Sequence, residues 1–468
     1  MIRFQELAAR ATTMSKAKQK SLIMRISPVV RQKTSPARGD FMNKKKEAVI
    51  FGFALFAMFF GAGNLIFPPS LGIAMGKDWF LAGIGFLLTG VGLPLFGVLA
   101  FTKVGRLEDF SIKVSSRFNT IYCTALILVI GPLFAIPRTG STTFEMGVRP
   151  LFPDTDPFLL AVVSSVVFFL ATYLVVIKES KLTDIIGKFI TPVLLVILAA
   201  IAFLGITGDI GIAVDKQVTG VFTQGFVNGY QTMDALASVL FGVIIIKGLE
   251  GKGITAEKDQ RYFLTGAAFI AAAGLGLIYF SLMFLGSKIS GVGTFETTSS
   301  ALYLAEVTLG ASGKILFGIC VAAACFTTAV GLVAISAAWF AGLTRIKYNV
   351  WAVIVCVFSG IMALGGVDFI IKLSIPVLCI LYPVTIILIL LNIFGVKNVL
   401  VYRAATYATL VTITIEVGAQ TLGLTEISEL MKLIPLADAG FAWITPCILG
   451  MIIAYLISKT RNGQKEEK

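Results

Sequence analysis

From residue 48 onward the chain alternates between long apolar runs and short polar connectors. Each run is about 20 residues, the length of α-helix that crosses a ~30 Å hydrocarbon core. Twelve can be counted, at 48–72, 80–102, 119–147, 157–177, 184–208, 222–248, 262–287, 312–340, 348–365, 367–393, 399–420 and 438–458. The weakest divisions fall around Gly365-Gly366 and inside 222–248. The pattern predicts an all-α polytopic membrane protein with twelve transmembrane helices.

Three runs carry candidate function, and two of them hold residues that an uninterrupted membrane helix would avoid. The first holds Phe60-Gly61-Ala62-Gly63-Asn64, followed closely by Pro68-Pro69. Gly disfavours helix by about 1 kcal/mol and Pro by about 3. Peptide groups freed inside lipid are tolerated only where they line a cavity or bind something. The expectation is a half-helix ending near Phe60, with free carbonyls, and another starting near Asn64, with free N–H groups and a positive dipole end. A glycine-rich packing face with a proline kink is the plainer alternative. The sixth run repeats the theme in Gly225-Phe226-Val227-Asn228-Gly229-Tyr230-Gln231-Thr232-Met233-Asp234. Asp234 is expensive at membrane depth unless paired or hydrated; it would cap an inner half-helix, bind a substrate amine, or cap an ordinary helix near the outer interface. In the eighth run, Thr327 and Thr328 are adjacent. One hydroxyl can return to the backbone while the other meets a ligand, and such oxygens suit a hard cation; threonines packing between helices is the equal alternative. Interruptions at the first and sixth runs imply two five-helix inverted repeats, 48–208 and 222–393, followed by extra helices over 399–458.

Charge orients this scheme. With a cytoplasmic N-terminus, the inner loops carry 15 Lys/Arg against 7 outside, so both termini are expected in the cytoplasm. Residues 1–47 hold 12 Lys/Arg and 3 Asp/Glu, most of the chain's net +13. That excess is an orientation signal, and no nucleic-acid partner is expected. Residues 1–41 are basic and lack an apolar core like that of a signal peptide. Translation is expected to begin at Met42, making 1–41 a start-site extension; the alternative is a disordered basic arm beside anionic lipid. Residues 42–460 form one transporter domain, and 461–468 a cytoplasmic tail.

Composition agrees: 57% of the 468 residues are hydrophobic and 14% charged, with mean hydropathy +0.90. Histidine is absent, which removes Ser-His-Asp chemistry and imidazole relays. The six cysteines lie in apolar runs and read as small buried residues. An enzyme is therefore not expected, and neither is a resident cofactor. The outer connection 288–312 contains a short helix from about Thr297 to Glu306, with Ser or Thr as its cap. Arg138 and Glu145, seven apart in the third run, are expected on one helix face, in ion pairs with each other or a neighbouring helix, and are the candidate gate. Glu416 reads as peripheral or structural.

Phe60-Gly61-Ala62-Gly63-Asn64-Leu65-Ile66-Phe67-Pro68-Pro69 closely resembles the first-helix signature of the bacterial branched-chain amino acid carriers, the BrnQ-type cation symporters. The similarity continues through 131–139, 229–235, 326–332, 374–378 and 381–383. The resemblance implies import of leucine, isoleucine and valine driven by Na⁺ or H⁺, and a LeuT-like fold. It implies a Na⁺ site from the carbonyls of Ala57 and Phe60 and the hydroxyls of Thr327 and Thr328. It places the substrate carboxylate at the N–H groups of Ala62 and Gly63, with Asn64 a further candidate donor, and counts Gly61 among the substrate-binding residues. Span six, with Tyr230, Thr232, Met233 and Asp234, takes the amine and side chain. Some LeuT-like relatives carry an arginine just after the first break; here the stretch reads Leu65-Ile66-Phe67, so that gate is missing or replaced by Arg138. The expected setting is the bacterial inner membrane, with no obligate protein partner. A carrier for another small solute and a membrane channel are the rival readings.

Overall fold

In the computed structural model, the described residues are 44–104, 109–177, 182–251, 253–293 and 295–466. The expectations for residues 1–41 and Met42 lie outside them. Residues 44–47 open the first helix, and one compact unit runs Ala48–Lys468.

The described residues are helical, with no strand beyond one isolated bridge between Gly76 and Asp215. In chain order the α-helices are α1 Lys44–Phe59, α2 Ala62–Met75, α3 Trp79–Leu87, α4 Leu93–Val104, α5 Ser116–Leu128, α6 Ala135–Thr142, α7 Pro157–Ile177, α8 Leu182–Thr207, α9 Val221–Tyr230, α10 Asp234–Gly251, α11 Glu257–Lys288, α12 Thr297–Leu343, α13 Tyr348–Ala363, α14 Val367–Ile393, α15 Val399–Leu422, α16 Thr425–Lys432 and α17 Ile444–Glu466. π-Helical turns join α3 to α4 at Leu88–Gly92 and extend α5 and α6 at Val129–Leu133 and Thr143–Val148.

By length and apolarity, six helical stretches of the described residues can cross a membrane, or eight if each of two bent pairs counts as one. The sequence count was twelve. α13 is apolar but only 16 residues long, whereas α8 and α17, of 26 and 23 residues, enter the count only through the apolar stretches Pro192–Thr207 and Ile444–Thr460. The 24-residue α15 is diluted by Arg403, Glu416 and several threonines. The bent pairs are Ala48–Phe59 with Ala62–Met75, at 71°, and Val221–Tyr230 with Asp234–Gly251, at 44°. Each is a broken span or a re-entrant loop by geometry. The first bend falls at Phe60-Gly61, and α2 then runs straight through Pro68 and Pro69. The outside is apolar, with Phe158, Val167, Val196 and Leu277 all more than 60% exposed, as a lipid-facing belt requires.

Two tight approaches hold α2 and α9, one piece of each pair. A Cβ on Gly225 of α9 would run into the Ala82 backbone of α3, and one on Gly286 of α11 into the Pro69 backbone of α2. Only glycine lets these backbones meet so closely. α12 begins at Thr297, as expected for the outer loop, but its cap is Glu296 and makes no side-chain bond. The helix then continues to Leu343 through one non-helical residue, Gly310 (φ 74°). Gly366, at φ 82°, separates α13 from α14.

Candidate functional site

The break between α1 and α2 leaves its peptide groups without backbone partners. The Gly61 N–H turns to the Asn64 side chain, donating to Oδ1 at 3.3 Å. Among the described residues no N–H reaches the carbonyls of Ala57, Met58, Phe59 or Phe60, and the N–H groups of Ala62 and Gly63 find no acceptor. The Asn64 N–H is different, because it donates to the Gly61 carbonyl at 3.2 Å. Of the donors the resemblance implied, Ala62 and Gly63 are free and Asn64 is not.

The α9–α10 break is more tightly folded. Thr232 and Met233 N–H donate back to the Gly229 and Tyr230 carbonyls at 3.3 and 3.0 Å. Met233 is held at φ 60°, a left-handed conformation that costs a side-chain-bearing residue about 1 kcal/mol or more. Asp234 then starts α10, with its N–H on Thr232 Oγ1 at 3.3 Å.

Three buried side chains join the two breaks. Asn64 Nδ2 donates to Asp234 Oδ2 at 2.6 Å and also reaches Tyr279 OH. Tyr279, from α11, donates to the same Asp234 oxygen at 3.2 Å. Arg138, from α6, donates through Nη1 to the Gln231 carbonyl at 2.6 Å, a group freed by the second break. Its guanidinium lies 5.1 Å from the Phe67 ring centre of α2. A Cβ on Gly63 would sit 2.8 Å from Nη2, so the guanidinium lies against the first turn of α2 as well.

These groups surround a cavity of about 50 Å³. Of the residues singled out from the sequence, Gly61, Ala62, Gly63, Asn64, Arg138, Thr232, Met233, Asp234 and Thr328 line it. Met58, Phe59, Ile130, Ala135, Thr139, Ala237, Phe241 and Leu332 complete the wall, which is largely apolar. Larger hollows of roughly 410 and 460 Å³ lie elsewhere, between apolar helix faces, and carry almost no polar lining.

Other expected residues lie apart. Tyr230 turns from the cavity and stacks on Tyr382, ring centres 4.2 Å apart. Ala57, Phe60 and Thr327 do not line the cavity. Both threonine hydroxyls of α12 donate to one carbonyl, Ala324, at 2.9 and 3.0 Å; the expected division of one to the backbone and one to a ligand is not seen. Their lone pairs stay available for a cation, since a ligating hydroxyl must point its proton away. Arg138 and Glu145 do not pair, and neither joins an ion pair among the described residues. The π-helical turn from Thr143 changes the helix period between them. Glu145 instead accepts from Thr298 Oγ1 of α12 at 2.7 Å and Val367 N–H of α14 at 2.9 Å.

The sequence reading missed Tyr279 and the carbonyl of Gln231. Tyr279 had a signal: a fully buried phenol in the middle of an apolar run must find a hydrogen-bond partner.

A family model described as branched-chain amino acid transport protein matches residues 44–461. The branched-chain amino acid permease BrnQ of Bacillus subtilis is 37% identical over 440 residues, covering 90% of this chain and 99% of that protein. The branched-chain amino acid transport system 2 carrier protein of Pseudomonas aeruginosa is 34% identical over 436 residues, with 90% and 98% covered. Among solved structures, the transporter Mhp1 of the nucleobase-cation-symport-1 family, closed with bromovinylhydantoin bound, superposes with TM-score 0.58 at 13% identity, covering 88% of this chain and 92% of that one. A Na⁺-coupled sialic acid symporter in an outward-open state gives 0.52 at 15% identity, covering 87% and 89%. At those identities the likeness is one of fold.

Proposed function

The chain belongs to the branched-chain amino acid transport protein family, an integral membrane transporter family, and from that premise we propose that it imports leucine, isoleucine and valine by alternating access, coupled to Na⁺ or H⁺. The observation that carries this reading is the pair of bent helices facing each other across one small polar-and-apolar cavity. In this reading the bent pairs are broken spans one and six of twelve crossings. Residues 42–460 are the transporter domain, built as inverted repeats 48–208 and 222–393 plus 399–458. Both termini are cytoplasmic, in the bacterial inner membrane.

The substrate carboxylate takes the free N–H groups of Ala62 and Gly63 at the positive end of α2. The amine takes the carboxylate of Asp234, and the branched side chain the wall of Met58, Phe59, Ile130, Phe241 and Leu332. One methylene in such a wall is worth only ~1–3 kcal/mol, so the three substrates compete closely. The carbonyls of Ala57 and Phe60, with the hydroxyls of Thr327 and Thr328, form an all-oxygen set that fits Na⁺. A single charge moving through 100 mV supplies about 2.3 kcal/mol, and the ion gradient adds to it.

Uptake of labelled leucine into proteoliposomes tests the reading, with an inward Na⁺ gradient, an inward H⁺ gradient, or neither. Accumulation under either gradient, suppressed by excess isoleucine or valine, is expected. No accumulation under both would overturn it.

A further inference from the structure

Arg138 is 4% exposed and comes from neither broken helix, yet it contacts both breaks. Nη1 is spent on the Gln231 carbonyl. Nη2 lies against Gly63, whose N–H is one of the two free donors at the start of α2. Asp234 lines the same cavity, also 4% exposed, and is held by Asn64 and Tyr279. The cavity is therefore lined by one basic and one acidic side chain that do not pair with each other, in a largely apolar wall. A buried cation and a buried anion held apart are costly unless a ligand completes them. An α-amino acid zwitterion carries the two charges that would do so.

We propose that Arg138 is the carboxylate anchor of the substrate, acting with the Ala62 and Gly63 N–H groups while Asp234 takes the amine, so that the site selects for the zwitterion as a unit. This rests on the transport reading above and replaces the gate role first assigned to Arg138. Guanidinium geometry suits it: one nitrogen stays on the Gln231 carbonyl while the other meets a carboxylate oxygen. Binding then ties the first break to the second through one side chain. A leucine analogue with a neutral carboxamide keeps the amine contact and loses the anchor; a branched 2-oxo acid keeps the anchor and loses Asp234.

The test is isothermal titration of the purified full-length protein with leucine and with leucinamide, for wild type, Arg138→Gln and Arg138→Lys. Wild type is expected to prefer leucine by at least ~30-fold, as expected for loss of one partner of a buried charge contact. Arg138→Gln should erase most of that preference while leaving leucinamide within a few-fold, and Arg138→Lys should retain part of it. An unchanged leucine-to-leucinamide ratio in Arg138→Gln overturns the assignment. Equal loss of both ligands in both variants also overturns it, making Arg138 only a brace of the second break. A wild type that binds neither ligand, and accumulates no leucine in proteoliposomes, overturns the transport reading itself, a result separate from the first two.

Discussion

Asn64 offers the sharpest perturbation, because one short side chain serves both breaks. Asn64→Ala removes the acceptor of the Gly61 N–H and both donor contacts of Nδ2, to Asp234 Oδ2 at 2.6 Å and to Tyr279. With Asp234 ionised, as the proposed amine contact requires, this bond is charge-assisted and contributes about 1.5–3 kcal/mol. Asp234 is not left bare, since Tyr279 still donates to the same oxygen at 3.2 Å. That supports taking the single-bond figure without an added penalty for an orphaned charge. At 1.4 kcal/mol per decade it becomes roughly a 10- to 150-fold loss of leucine affinity. Tyr279→Phe removes the longer of the two bonds to Asp234, so its loss is expected to be smaller, about 3- to 30-fold. Titration of both purified variants with leucine, beside uptake in proteoliposomes with matched protein content, gives the numbers. An Asn64→Ala affinity within about 3-fold of wild type, or a Tyr279→Phe effect larger than that of Asn64→Ala, would refute the reasoning.

Thr327→Ala with Thr328→Ala should raise the Na⁺ concentration that half-saturates leucine uptake by about tenfold or more, if these hydroxyls ligate the ion; an unchanged Na⁺ dependence removes them from the coupling site. Glu145→Gln keeps the shape but weakens the acceptors of Thr298 and Val367. Loss of about 1 kcal/mol there should speed amide exchange in 297–309 roughly fivefold, and unchanged protection would show that the carboxylate does not hold this segment closed. Gly225→Ala and Gly286→Ala each drive a Cβ into a neighbouring backbone and should lower stability by about 1–3 kcal/mol or more, seen as a lower detergent-solubilised melting temperature. Gly276→Ala, which meets nothing within 4 Å, is the neutral control.

What was legible in the sequence divides along a physical line. Lipid demands long apolar runs, so the helices announced themselves, and a break inside such a run shows in Gly61, Gly63 and Asn64 because few other residues tolerate it. The fold of the relatives and the family followed from the same stretches. Legibility failed where a function belongs to the backbone or to a distant partner. Arg138 was read as half of an ion pair because charges are visible as letters. Its acceptor is the Gln231 carbonyl, and every residue has a carbonyl; only the fold decides which are free. Tyr279 was overlooked because its partners lie 45 and 215 residues away. Tyr230 was over-read: it sits beside the break in sequence, but a helical turn carries its ring to Tyr382 and away from the cavity.

The cavity is also too small for its proposed cargo. At about 50 Å³ it holds a few waters, whereas pockets that take small organic ligands run to roughly 300–1,000 Å³. Helices must therefore part, and the contacts indicate where. α2 and α11 meet backbone to backbone at Gly286, and α9 and α3 do so at Gly225. α3 and α11 are stacked in turn through Trp79, 4.8 Å from Phe280 and 5.3 Å from Phe284 between ring centres. Separating any of these would break close backbone or ring contacts, so α2 and α9 are each packed tightly on α11 and α3. The other side is equally close, with Gly318 of α12 against the Met146 carbonyl. Between the two sides the polar links include Arg138 to the Gln231 carbonyl at 2.6 Å, Ser374 to Gln231 Oε1 at 3.0 Å and Ser70 to the Thr297 carbonyl at 3.4 Å. The two serine bonds are neutral and contribute about 0.5–1.5 kcal/mol each, and the bond from the charged Arg138 guanidinium about 1.5–3 kcal/mol. Arg138 therefore crosses the seam between the two sides, and under the proposed alternating access a ligand that engages it would act on that seam directly.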